Sequence, residues 1–158
     1  MPLITLNTKI YAPINICFDL SRSIDFHSRS ASTTNEKAVS GRINGLIELD
    51  ETVTWEATHF WIKQKLTSKI TALEKYSYFR DEMVNGAFAK IYHEHIYEQN
   101  DEFTIMIDKF EYEAPFSILG KLFDVVILNN YMKNFLIVRN SQIKKVAENG
   151  EWINYLKK

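Results

Sequence analysis

At 158 residues, with 46% hydrophobic and 25% charged, the chain has the length and balance of one globular domain with a buried core. A formal net charge of −1, with basic residues scattered beyond short pairs such as Lys144-Lys145 and Lys157-Lys158, argues against nucleic acid or an anionic membrane as partner. The single cysteine, Cys17, excludes an internal disulfide, and no apolar run reaches the roughly 18 residues of a membrane-spanning helix. The N-terminus alternates polar and apolar residues and does not read as a signal peptide, so a cytoplasmic address is expected.

Leu3 to Tyr11 reads as a strand, with Ile4, Leu6 and Ile10 on one parity. Pro13 suits the first turn of a helix, and Ile14, Cys17, Phe18 and Ser21 carry helical spacing to about Arg22. Ser23 to Asn35 is rich in Ser and Thr without a sustained period, and is expected to be a loop with at most one helical turn. Glu36 to Ser40 forms a short strand, and Gly41 and Gly45 punctuate the turn region after it. Five segments rich in β-formers follow: Asp50 to Thr58, Trp61 to Ala72, Tyr76 to Met83, Ala87 to Glu98 and Glu102 to Tyr112. Asn85-Gly86 signals a tight turn and Gln99-Asn100-Asp101 another, so antiparallel hairpins between neighbours are the simplest connection.

The chain ends in a long amphipathic helix predicted from about Ser117 to Ala147. Ser117 is the expected N-cap, and Leu119, Leu122, Phe123, Val126, Tyr131, Phe135, Leu136, Arg139, Ile143 and Val146 recur mostly at intervals of three and four. Asn149-Gly150 closes it, and Trp152 and Tyr155 anchor a short docked tail. No repeat, low-complexity run or linker divides residues 1–158, which are read as a single domain. The fold class expected is α+β, a curved antiparallel sheet of about seven strands wrapped around the long C-terminal helix. Such a two-layer arrangement leaves a cavity between sheet and helix.

That element order resembles the START/SRPBCC superfamily, whose helix-grip fold is that of the major birch pollen allergen. The resemblance is carried by Thr52-Val-Thr-Trp55 with His59-Phe60, by Asp81-Glu-Met-Val-Asn-Gly86-Ala-Phe88 before His93-Glu94-His95, and by Asp108-Lys-Phe-Glu-Tyr-Glu-Ala-Pro115-Phe116 with Leu119-Gly120 and Tyr131-Met132 to Arg139-Asn140. These span about residues 50 to 145 and look like a bacterial branch in which some members carry a cell-division-inhibitor label. The superfamily includes lipid and hormone binders and aromatase/cyclase enzymes. Relatives often have glycine after the His-Phe pair where this chain has Trp61, which puts an extra ring either near the cavity or on the surface.

Period-two geometry places His93 and His95 on one strand face and Glu94 on the other. Two imidazoles so spaced can be adjacent metal ligands, with Asp108, Asp81 or His59 as a possible third. The simpler reading has them hydrogen-bonded to carboxylates such as Asp108 and Asp81, holding neighbouring strands in register. Asp81, Asp108 and Glu111 could act as acid or base if buried, or pair with Arg80, Lys90 or Lys109. Asp108 stands out because Met106, Phe110 and Tyr112 share its parity. Cys17 is expected to be a buried, inert thiol, no G-x-S-x-G elbow occurs, and Ser40-Gly-Arg-Ile-Asn-Gly45 lacks the Lys-Ser/Thr ending of a phosphate loop.

The leading functional expectation is a protein that binds a small apolar or aromatic molecule between the sheet and the helix. Trp55, Tyr92, Phe110, Tyr131, Met132 and Phe135 are the expected walls, with His93, His95 and Asp108 as polar anchors. Arg139 is spaced to meet a ligand carboxylate or to pair with a strand Asp or Glu. The alternatives are a cyclase- or hydrolase-type enzyme using a His/Asp pair in the same cavity, and a regulatory protein-interaction module with an apolar patch near Trp152 and Tyr155. No catalytic residue, metal or cofactor is assigned.

Overall fold

The elements in chain order are β1 (Leu3–Ile10), α1 (Ile14–Arg22), α2 (Ile24–Ser30), β2 (Lys37–Gly41), β3 (Thr52–His59), β4 (Ile62–Glu74), β5 (Tyr78–Asn85), β6 (Lys90–Gln99), β7 (Thr104–Glu113), α3 (Asn129–Asn149) and α4 (Ile153–Leu156). They belong to a computed structural model that describes residues 1–31, 34–59, 61–114 and 127–156. All seven strands join one antiparallel sheet in the order β1-β7-β6-β5-β4-β3-β2. From β2 to β7 every strand pairs with its sequence neighbour, and β1 returns to close on β7. The architecture is the expected α+β helix-grip arrangement, a curved antiparallel sheet with a C-terminal helix.

Alternation decides which side of the sheet is covered. On β7 the side chains of Thr104, Met106, Asp108, Phe110 and Tyr112 are all buried while those between them reach solvent to some degree. On β6 the buried set is Ile91, His93, His95 and Tyr97. One covered and one wet face is the ordinary state of an antiparallel sheet. The covered face carries two apolar clusters. The larger gathers α1, α2, Phe79, Tyr97 and the C-terminal half of α3. Its centre is Phe18, fully buried and edge-on to Tyr76, Phe79 and Tyr97 at 5.3–5.7 Å. Burying such a ring contributes about 1.5–3 kcal/mol. The smaller cluster gathers Ile4, Ile91, Phe110 and Tyr112 with Leu128, Met132 and Leu136.

Met132, Leu136, Asn140, Ile143, Val146 and Ala147 are the buried residues of α3, and their three- and four-residue spacing is why the helix lies along the sheet. Gly150 takes the left-handed conformation that ends it (φ 84°), which a side chain would strain. The tail then docks: Trp152 and Tyr155 pack on the larger cluster, with Tyr155 edge-on to Phe26 at 5.2 Å. The expected N-cap Ser117 and the helical positions Leu119, Leu122, Phe123 and Val126 lie outside the described residues.

Two local expectations are corrected. The Ser/Thr-rich segment after Arg22 holds a seven-residue helix, α2, because Ser23 caps it by accepting from the Phe26 N–H at 3.2 Å. Ile24 and Phe26 are buried in the larger cluster, which supplies the stability that the segment's weak period does not advertise. Asn85-Gly86 is not a two-residue turn either. Neither residue has a positive φ, and β6 resumes only at Lys90. Gly86 instead meets a packing demand, since a Cβ there would stand 2.8 Å from both Leu66 Cδ1 and Met83 Sδ.

Candidate functional site

A cavity of about 340 Å³ lies between the covered face of the sheet and α3. Its walls are chiefly apolar: Val53, Trp55 and Ala57 from β3, Leu66 and Ile70 from β4, Phe79 from β5, Ile91 from β6 and Phe110 from β7. Leu128, Tyr131, Met132, Phe135 and Leu136 close the helix side. The volume falls in the ~300–1,000 Å³ range of small-molecule pockets.

The floor is polar, and cross-strand register builds it. Asp81 on β5 stands opposite His93 on β6, and His95 on β6 stands opposite Asp108 on β7. The close contacts run diagonally as well as directly. His93 Nε2 lies 2.9 Å from Asp108 Oδ1, and His95 Nε2 lies 3.1 Å from Asp81 Oδ1. His95 Nδ1 is 3.0 Å from Asp108 Oδ1 but out of line for a hydrogen bond, so that contact is electrostatic. The two imidazoles sit face to face with centroids 3.8 Å apart, Phe79 stacks on His95 at 4.1 Å, and Phe110 meets His93 edge-on at 5.1 Å.

Asp108 is fully buried behind this pair. The Asn140 Nδ2 amide donates to its Oδ2 at 2.6 Å, and Arg139 Nη1 approaches its Oδ1 at 3.4 Å. Arg139 also donates to the Ser21 carbonyl at 3.3 Å. A buried charge survives only when paired and hydrogen-bonded, and this one is. Burial works to raise the Asp108 carboxyl, yet the imidazoles of His93 and His95 override it and hold the group well below the usual carboxylate range. Burial, helped by the adjacent His95, pushes His93 down to about 4 against the pull of Asp108. The ring is therefore neutral near pH 7, and its one N–H faces Asp108. For Asp81 the burial cost is outweighed by the His95 hydrogen bond and the nearby His93, which lower its carboxyl.

A second polar cluster edges the same cavity. Glu36, almost fully buried, hydrogen-bonds through Oε2 to His27 Nε2, and His27 stacks against Trp55 at 4.2 Å. His59 Nε2 stands 3.8 Å from Glu36 Oε1, and His59 Nδ1 shares a 2.8 Å hydrogen bond with the Tyr131 hydroxyl. Burial lowers the His59 imidazole more than Glu36 raises it.

Of the residues expected from sequence, Trp55, His93, His95, Phe110, Tyr131, Met132, Phe135 and Arg139 all border the cavity. Asp108 lies one layer back, holding the imidazoles. Tyr92 is a correction: it points to the outer face, where its hydroxyl accepts from Arg80 Nη1 at 2.9 Å. Tyr92 and His93 are adjacent on a strand, so they cannot share a face. Trp61 is on the surface, 95% exposed. Arg139 takes the carboxylate-pairing role on Asp108.

Sequence reasoning left Asp81 among several options and missed His27 and Glu36 altogether. Parity was available for Asp81, because Phe79 and Asp81 alternate with outward residues. For His27 and Glu36 the signal was absent, since they meet only when α2 folds against the edge of the sheet.

No protein-family model and no curated protein matches the chain. Solved structures do. The protein TTHA0849 from Thermus thermophilus superposes with a TM-score of 0.72 at 14% identity, over 93% of this chain and 100% of that one. A START superfamily protein from Mycobacterium smegmatis gives 0.69 at 5% identity, covering 91% and 98%. Ginseng major latex-like protein 151 from Panax ginseng gives 0.68 at 14% identity, covering 92% and 97%. What is shared at these identities is the fold, a curved antiparallel sheet gripping a C-terminal helix.

Proposed function

We propose that this helix-grip protein binds a small apolar or aromatic molecule between the sheet and α3. The observation that supports the reading is the chiefly apolar cavity of about 340 Å³ with a polar floor at one side. Apolar walls supply affinity in proportion to area removed from water, and a few placed polar groups orient the ligand. Trp55, Phe110, Met132 and Phe135 would supply the walls, and His93, His95 and Arg139 would receive a polar substituent. The reading takes residues 1–158 as one ligand-binding domain.

The test uses an apolar fluorescent probe, 1-anilinonaphthalene-8-sulfonate, titrated into the full chain. Ser68 is a buried, small residue of β4 that borders the cavity, so Ser68→Phe would drive a ring into it. The wild type is expected to take up one probe per chain, and Ser68→Phe to weaken that binding about tenfold, or 1.4 kcal/mol. Equal affinity in both proteins, with native circular dichroism retained, would sink the reading.

An enzyme of the cyclase or hydrolase type has one supporting observation, the hydrogen-bonded His93–Asp108 pair beside the cavity. A regulatory interaction through the C-terminal tail draws less support, because Trp152 and Tyr155 are packed on the larger cluster.

A further inference from the structure

We propose that Asp81, His93 and His95 form a site for one divalent first-row transition metal on the floor of the cavity. The inference goes beyond the apolar-ligand reading and stands on these side chains whether or not an organic molecule enters. Each residue offers one donor atom, and the three atoms lie within 4.8 Å of one another. The edges seen directly are 3.1 Å from His95 Nε2 to Asp81 Oδ1 and 3.8 Å from His93 Nδ1 to the same oxygen. A cation bonding at about 2.0–2.2 Å holds neighbouring donors roughly 2.8–3.6 Å apart, from right-angled to tetrahedral geometry. The first edge already fits, and a side-chain rotation closes the wider ones.

Proton counting makes the same point. A neutral imidazole carries one N–H, and His93 spends its own on Asp108 through Nε2. Its Nδ1 lone pair then looks toward the Asp81 carboxylate, two electron-rich atoms with no proton between them. His95 faces a carboxylate with each nitrogen, Asp81 at 3.1 Å from Nε2 and Asp108 at 3.0 Å from Nδ1. A cation between His93 Nδ1, His95 Nε2 and the Asp81 carboxylate resolves the His93 conflict and leaves His93 Nε2 donating to Asp108.

Asp108 is the outer-shell carboxylate that metal-bound histidines generally have, fixing tautomer and ring direction. Asn140 and Arg139 hold it in turn. Two nitrogens and one oxygen suit zinc, iron, cobalt, nickel or copper over calcium or magnesium. Three protein donors leave coordination positions open toward the cavity for water or a donor atom of a bound molecule.

The test is a Co²⁺ titration of the chelator-treated full chain, read by visible d–d absorption and calorimetry, followed by displacement with Zn²⁺. One Co²⁺ per chain is expected. Asp81→Asn, which keeps the shape but removes the anionic donor, and His95→Ala should each weaken binding about 100-fold or more, beyond the 10–100-fold usual for outer-shell changes. Glu94→Gln, on the opposite face of the same strand, should leave it unchanged. Native circular dichroism and a cooperative thermal melt report that each variant has folded. No stoichiometric Co²⁺ uptake, or uptake undiminished in folded Asp81→Asn, overturns the site. Probe binding by metal-free wild type that takes up no Co²⁺ would remove the metal and leave the apolar-ligand reading standing.

Discussion

Glu36 shows what one buried residue contributes. Burial alone would raise its carboxyl, and the His27 imidazole at hydrogen-bond distance, with His59 beyond it, lowers it instead. A carboxylate whose folded pKa is depressed stabilises the fold fully above the unfolded value of about 4.3, and that contribution is lost as pH falls through the folded pKa. Glu36→Gln should therefore be less stable than wild type at pH 7 by roughly 1.5–3 kcal/mol, the usual worth of a hydrogen bond to a charged group. The two melting curves should converge once the pH falls below the folded pKa of Glu36. A gap of constant size across that range would show that the charge is not what matters. Cys17 is the contrasting case, since burial pushes its thiol up to about 11 and leaves it a small apolar filler.

The β3–β4 hairpin and α3 show how elements carry more than their own residues. His59 pairs with Ile62, and between them Trp61 takes a φ of 62°. A positive φ is a conformation that glycine adopts more readily than any residue with a side chain. A side chain in that region costs about 1–2 kcal/mol, whereas glycine gives back roughly 0.5–1 through its unfolded-state freedom. The ring buries almost nothing in exchange. Trp61→Gly is accordingly expected to raise the melting temperature by about 1–3 °C. A lower one would mean that the exposed indole has a stabilising contact. α3 divides along its length: Met132 and Leu136 belong to the smaller cluster, Arg139 and Asn140 to the polar floor, and Ile143 and Val146 to the larger cluster.

For the whole molecule that division separates stability from the cavity. Ile143 is fully buried among α1, α2 and the sheet and borders no part of the cavity. Ile143→Ala should cost about 3–4 kcal/mol, in the range for aliphatic core truncations, while leaving probe affinity at the cavity unchanged. Met132 borders the existing cavity, so Met132→Ala removes fewer close contacts. It should cost under about 2 kcal/mol and alter probe binding severalfold. Denaturant melts and probe titrations of the two variants check the contrast. If both change binding equally, the two ends of the helix are not independent.

Alternation on Ile91 to Tyr97 and on Thr104 to Tyr112, and the three- and four-residue spacing from Met132 to Val146, are properties of the chain in its own order. They determined seven antiparallel strands, one long helix, and the apolar parity of β7. They also placed His93 and His95 side by side. The square of Asp81, His93, His95 and Asp108 needed the register of three strands, and the pairing of His27 with Glu36 needed α2 docked beside the sheet. Register and docking come from contacts between residues far apart in sequence, which no local period records. Tyr92 was misplaced for the converse reason, an aromatic chosen for its chemistry against the parity that decides its face. Local periodicity thus carries the strands and the long helix, though not α2; the meeting of acids and imidazoles beneath an apolar cavity comes from tertiary packing, because only close packing sets distances of about three ångströms between separate strands.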